Sequence, residues 1–531
     1  MPVTTIPLIG TPSQRGPISS AALTAGQDRR FINTNFVGIV DNAKQTKEIY
    51  VEKRQGMESF STPSSGNPGV AIFVSPSTAN VITVFGIAAV PHIYSGTTDC
   101  GIITSNPNGV ISEAVFSGIT YYLIGNNSGG WFLASDAIGG FTFTGDTHTN
   151  TTIDGVSSLT GLYVGQLISG TGIAAGTRIA TITAPSTITT TLATTATNAG
   201  ITITREGVAK IIDADFPTSC VGLVEMDGYI FTASGTKIYN SALNSVTSWD
   251  ASHFITANIS TDNINSIVKI KNRIVVMSSD SIEFFFNAGN SAGSPLSSDK
   301  SSVILTGGAS NYSQNNNYLF FIGTIQTTPG VYSFRDAQLN KISTPPIDRA
   351  VSSAGFLTAL SSFVYGGYTN VLCSRPNTTS CFKYCLELDI WDEQNLPSQT
   401  TIASNGPYFV NAGTTGKVFY FSKTPVYQDN GSAFTMTIQT EPKVLNKGRG
   451  FKINSIELLA DTQSSGSTTL EISRDDYGSF QTLGSFPLTS NRKRITRGGY
   501  CRHHAIFRLT DSGNQAWRGQ AIVVDWEPCA A

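Results

Sequence analysis

From about Gly69 the chain alternates short apolar runs with turn dipeptides, and the runs carry the two-residue period of β-strands. GVAIFVSPSTANVITVFG reads as strand, turn, strand, and GVISEAVFSGITYYLIGNNSGGWFLAS repeats it. The rhythm resumes with CVGLVEMDGYIFTASGTKIYNSA, INSIVKIKNRIVVMSSDSIEFFF, NNNYLFFIGTIQTTPGVYSFRD, LSSFVYGGYTNVLCSRPNT and CFKYCLELDIWDEQ. Each unit holds roughly two to four strands split by Asp-Gly, Lys-Asn, Gly-Thr or Asn-Asn turns. Repeated meanders without helical spacers predict an all-β chain built on an irregular β-propeller, with an array of β-sandwiches as the other architecture.

Three segments break the rhythm. Residues 1–65 are punctuated by Pro and Gly and read as extended pieces joining the body, which spans 66–141 and 205–432. Residues 142–204 are nearly devoid of charge and rich in Thr and Gly. Their Ile and Leu spacing predicts a folded β module seated at a loop tip, against the plainer reading of a long hairpin. Residues 433–531 return to clear alternation in FKINSIELLAD, STTLEISRDD and AIVVDWE, which predicts a C-terminal antiparallel, sandwich-like platform domain.

Composition supports this picture. Charged residues make up 13% of the 531 residues and the net charge is -2. No global basic field marks a nucleic-acid binder, so DNA would pass by rather than be gripped. A surface this poor in charge suits assembly into something larger. The start, MPVTTIPLIGTPSQRG, lacks the charged beginning and apolar run of a signal peptide, and Val81 to Val90 is too short to span a bilayer. Synthesis and assembly in a cytoplasm are therefore expected, with no membrane insertion. The seven scattered Cys read as buried thiols.

Candidate chemistry is sparse. Gly289-Asn290-Ser291-Ala292-Gly293 matches the G-x-S-x-G of serine hydrolases, but Ser294-Pro295-Leu296 follows where a nucleophile elbow needs a helix. Cys373, Cys381 and Cys385 meet only half of a zinc-site spacing and read as core. Ser473 to Phe480 resembles the Asp-box of sialidase-like propellers, which is a folding turn. The densest basic cluster is Arg492, Lys493, Arg494, Arg497 and Arg502, with His503 and His504 beside it. It reads as a contact to a neighbouring subunit or to phosphate, against a solvated hairpin. No catalytic, cofactor or metal residue is expected, and the chain reads as no enzyme.

Several stretches together resemble a known family. The insert carries Gly161-Leu162, Val164-Gly165-Gln166, Ile168-Ser169-Gly170, Gly172-Ile173 and Gly176-Thr177, a pattern similar to modules found in phage tail proteins. INTNFV and EIYVEKRQGMESF resemble the opening of the tail nozzle, or packaged-DNA stabilisation, family of short-tailed bacteriophages; Gln55-Gly56 stands where that family often has Pro-Gly. Thr247-Ser248-Trp249-Asp250, a strand pair, Ser281-Ile282-Glu283 and an Asn-Ala-Gly turn follow the family's order, which marks Trp249, Asp250 and Glu283 as structural positions. The stretch from LEISRDDYGSF to YCRHHAIFRLT is similar to its last domain.

The resemblance implies a structural subunit of the virion tail, assembled in the host bacterial cytoplasm. Six copies would form a ring below the portal and its adaptor proteins, retain packaged double-stranded DNA and conduct it during ejection. A tail needle or plug, tailspikes and fibres are the further implied partners. On physical grounds, a conduit with few phosphate contacts would let DNA slide. Loops Asn287 to Lys300 and Thr306 to Asn317 are expected to carry subunit or gate contacts. One rival is a receptor-binding tail protein recognising host glycan. A second is a propeller enzyme acting on capsule polysaccharide.

Overall fold

The computed structural model describes residues 2–8, 30–41, 46–87, 90–107, 111–257, 259, 262–315, 317–325, 327–336, 338–345, 347–348, 359–374, 380–396, 402–405, 408–411, 416–422, 424 and 426–529. Antiparallel meanders dominate, as the alternation predicts, and among the described residues they build a β-propeller of seven blades. Blade 1 runs from Gly69–Val74 to Thr98–Ile102. Blade 2 begins Ser112–Phe116, Ile119–Asn126, Gly129–Ala134 and takes its outer strand from the end of Thr197–Lys210. Blade 3 spans Leu223–Met226 to Trp249–Thr256, and blade 4 spans Ile264–Ile270 to Leu296–Ser298 with Ile304–Leu305 at its edge. Blade 5 spans Gly307–Asn315 to Gln338–Lys341, and blade 6 spans Ala359–Tyr365 to Ile390–Asn395.

Blade 7 closes the circle. Ile402–Asn405, Tyr408–Asn411 and Val418–Phe421 accept Met57–Ser61, from the start of the body, as their outer strand. From blade 2 round to blade 7 the inner strand of one blade packs on that of the next, and Ile402–Asn405 touches both Ala359–Tyr365 of blade 6 and Gly69–Val74 of blade 1.

The apolar runs are continuous because both faces of each blade are buried. In Ile119–Asn126, Tyr122 and Ile124 pack with Ile82, Val84 and Ile93 of blade 1. Leu123 faces the other way, toward Leu223 and Ile230 of blade 3. A full side chain of this size contributes about 1.5–3 kcal/mol when buried. The same two-sided arrangement repeats between blades 3 and 4, 4 and 5, 6 and 7, and 7 and 1.

The 142–204 region lies on the connection between the third and outer strands of blade 2. Its sheet is continuous with blade 2 through the single strand Thr197–Lys210. Val208 to Lys210 pair with the blade, while Thr197 to Arg205 pair with Phe141–His148. The module has its own core of Phe143, Ile153, Leu162, Ile168, Ile179, Ile188 and Ile203. Arg205 donates to the carbonyls of Ala137 and Gly139, and the Tyr163 hydroxyl donates to Asp136 at 2.7 Å, so the module is fixed to the blade.

An outer layer caps blades 5 and 6. One sheet runs Thr34–Asp41, Thr46–Lys53, Arg518–Pro528, Phe451–Ala460, Lys493–Cys501, with Val3–Pro7 also on Arg518–Pro528. The facing sheet is an extension of blade 6: Arg30–Ile32 lies parallel to Ile390–Asn395 and antiparallel to Met436–Gln439. N-terminal strands thus contribute to this layer and to blade 7, and a shared core holds Trp391, Trp517, Phe451 and Ile522.

Candidate functional site

The propeller's central channel has a volume of about 570 Å³ and is lined by inner strands of blades 1 to 6. Glu113 accepts hydrogen bonds from Ser75 Oγ (2.6 Å) and Ser77 Oγ (3.2 Å), and Lys269 pairs with Glu225 at 3.1 Å.

Trp249 is 6% exposed and sits in the core between blades 2 and 3. Its Nε1 donates to the Val246 carbonyl at 3.0 Å, its ring meets Phe216 edge-on at 4.8 Å, and its amide donates to Asp213. Asp250 is exposed and accepts from the amide and hydroxyl of Ser252; the hydroxyl bond above all holds its carboxyl below the usual range. Glu283 is buried in the third strand of blade 4 and accepts from the Ile259 amide at 3.1 Å. Trp249 and Glu283 are held within the blades, and the exposed Asp250 also has His253 Nε2 at 3.7 Å.

The basic cluster divides. Lys493 is 1% exposed and turns inward, donating to the carbonyls of Ala460 (2.9 Å) and Ser490 (3.0 Å), and burial lowers its pKa. It therefore leaves the set of candidate contact residues, because strand alternation points it away from Arg492 and Arg494. Arg492 pairs with Glu457 at 3.1 Å, and Arg494 donates to Ser455 Oγ at 2.7 Å. Arg497 and Arg502 are exposed. Arg494 and Arg497 lie on the edge strand Lys493–Cys501, with Arg492 and Arg502 just beyond its two ends.

Ser291 is exposed in the blade 4 loop, where the Asn290 side chain donates to the carbonyls of Ser294 and Leu296. A strand, Leu296–Ser298, follows, so the elbow geometry is missing. The other loop expectation needs correction: Gly307–Asn315 is the inner strand of blade 5, its Ser and Asn residues paired with Tyr318–Ile325. Cys373, Cys381 and Cys385 are buried, Cys381 between blades 6 and 7 and the other two in the core shared with the outer layer. Burial pushes all three thiols up. Asp475 accepts from Ser473 Oγ and from the amide and hydroxyl of Ser479, which hold its carboxyl down at about 2. This is a folding turn between two strands of the outer layer. Among the described residues no helix is long and apolar enough to cross a membrane.

Sequence reasoning missed a buried ionic junction where blades 6 and 7 meet the outer layer. Lys53 Nζ donates to Asp511 at 2.8 Å and to the Gly513 carbonyl at 2.6 Å. Arg54 engages both oxygens of Asp429, the Asn395 carbonyl and Asn33. Lys383 donates to the Thr34 carbonyl and Asn35, with Asp392 at 3.3 Å. Gly56 has no room for a side chain: an added Cβ would lie 2.0 Å from the Gln428 carbonyl oxygen. The available signal was the Lys53-Arg54-Gln55-Gly56 run, two adjacent charges in a charge-poor chain.

Residues 168–384 match the family model described as Bacteriophage P22 Gp10, beta-propeller, the phage-stabilisation family. Blades 2 to 6 of the propeller are similar to this family. The match covers less than half of the chain and runs from inside the module of blade 2 to the third strand of blade 6. A phage-stabilisation propeller carries a structural, DNA-stabilising role in a phage tail. No curated protein matches the chain.

Among solved structures, U3-55K is 7% identical, covering 68% of this chain and 97% of its own, at a TM-score of 0.38. The Cps50 (Swd1) β-propeller domain of Myceliophteria thermophila is 7% identical over 64% and 100%, at 0.28. An exo-β-1,3-galactanase of Phanerochaete chrysosporium is 10% identical over 72% and 100%, at 0.23. At these TM-scores nothing about activity or partners follows for this chain.

Proposed function

We propose that this chain is a subunit of a hexameric nozzle ring in a short-tailed phage, seated below the portal and its adaptor proteins. It is a structural part and no enzyme. The ring retains packaged DNA and conducts it at ejection. The observation that carries this reading is the family match across blades 2 to 6. A ring of identical chains needs two different, complementary surfaces on each, because its contacts are head-to-tail.

Particles assembled without this chain test the role. Their heads are expected to fill and then lose DNA, read as DNase sensitivity of packaged genomes, with protection restored by adding the purified chain. Heads that stay DNase-resistant without it would sink the DNA-retaining role.

A further inference from the structure

A second cavity, of about 400 Å³, opens on the seam between blade 6 and the outer layer. Its two lysines are already committed. Lys53 is held by Asp511 and Gly513, and Lys383 by Thr34, Asn35 and Asp392. What remains is the Glu52 carboxylate with Tyr365 and Tyr427, both of whose phenols are pushed up by burial and by the charge of Glu52. Burial likewise raises the Glu52 carboxyl. Arg518 comes no closer than 3.9 Å to Glu52 and is committed to Asp461 at 2.7 Å. A partly desolvated carboxylate that shares a cavity with two tyrosines suits a guanidinium, which can hydrogen-bond the oxygens and lie over a ring.

The same sheet carries the matching group. Glu52 lies on its second strand and the basic strand Lys493–Cys501 forms its far edge. Three strand spacings, roughly 14 Å, separate them, beyond the reach of one arginine side chain. On that far edge Arg497 and Arg502 are exposed and make no side-chain hydrogen bond or ion pair among the described residues. One chain thus presents an acid-and-tyrosine cavity on one side of a sheet and unpaired arginines on the other. This is the arrangement a head-to-tail contact requires.

We propose that the basic edge of one copy docks on the Glu52 cavity of the next, with Arg497 or Arg502 placed on Glu52 between Tyr365 and Tyr427. The inference rests on the ring reading and gives it a contact. A closed ring uses each surface once per chain, which leaves no free cavity and no free basic edge.

The test uses two full-length variants: Arg497→Glu/Arg502→Glu, and Glu52→Gln/Tyr365→Leu. Native mass is measured for each alone and for their 1:1 mixture, under conditions where the wild-type chain assembles, by itself or on its tail neighbours. The first variant touches only exposed side chains, so its folding serves as the control for the second. Each variant alone is expected to associate at least ~30-fold more weakly than wild type. The mixture is expected to give dimers and nothing larger, since only one intact interface can form per pair. Variants that assemble like wild type would overturn this contact and leave the ring reading standing. A wild-type chain that stays monomeric both alone and with its tail neighbours would overturn the ring reading and this contact with it.

Discussion

Arg54 and Asp429 stand 375 positions apart and form one buried, two-pronged ion pair, with Arg54 Nη1 2.8 Å from Asp429 Oδ1 and the guanidinium 3.9 Å from the Phe434 ring centre. Arg54 side-chain exposure is 0%. The pair sits beside the strand that closes blade 7, so it joins the start of the propeller to the beginning of the outer layer. Removing one partner strands a buried charge, which costs about 3–5 kcal/mol. Arg54→Met is expected to lower the urea midpoint accordingly, with Arg54→Met/Asp429→Leu recovering part of the loss. A single variant as stable as wild type would show that the pair holds nothing together.

Neighbours on the basic strand should behave oppositely. Lys493→Ala removes a buried side chain and leaves two half-buried carbonyls without their donor, at a cost of about 1 kcal/mol or more. Arg497→Ala removes an exposed side chain and should stay within about 0.5 kcal/mol of wild type. Thermal melts of the two variants side by side check the contrast.

Asp392 gives stability a pH dependence. Burial pushes its carboxyl up to about 7, against an ordinary value of about 4 in the unfolded chain. Between these values the folded chain holds a proton that the unfolded chain does not. Its contribution is therefore full below about pH 4 and is lost as pH rises toward about 7. Urea midpoints of wild type and Asp392→Asn at pH 5 and pH 8 test this. The variant should show a smaller drop between the two pH values than wild type, and an equal drop would contradict it.

Excising the blade 2 module should leave the propeller folded. Phe141 is paired with Arg205, so residues 141–205 leave and re-enter the blade at adjacent points that a two-residue turn can join. Val208 to Lys210 still complete the blade. Circular dichroism and melting of the excised chain are expected to show one cooperative unfolding of a β protein. Loss of cooperative unfolding would mean the module is part of the propeller's core.

The sequence made the strands legible because burial on two faces leaves apolar runs such as TYYLIG that no helix period fits. The family match likewise falls on the Trp249 and Glu283 region that carried the resemblance. Blade number was hidden because Met57–Ser61 completes a blade whose other strands begin at Ile402, and sequence pattern says nothing about pairing at that range. GGASNYSQN carries turn-forming residues, yet tertiary pairing makes it a strand. Lys493 looked solvated among arginines, and only the register of Lys493–Cys501 against Phe451–Ala460 turns it inward. The ionic junction escaped because its partners come from three distant stretches of chain.

The ring is the central claim, and native mass is its most direct measure. The purified chain is weighed alone and mixed with the adaptor ring of its tail. Six copies, in either condition, are the predicted result. Three copies, or a monomer that ignores the adaptor, would contradict it and turn attention to glycan recognition.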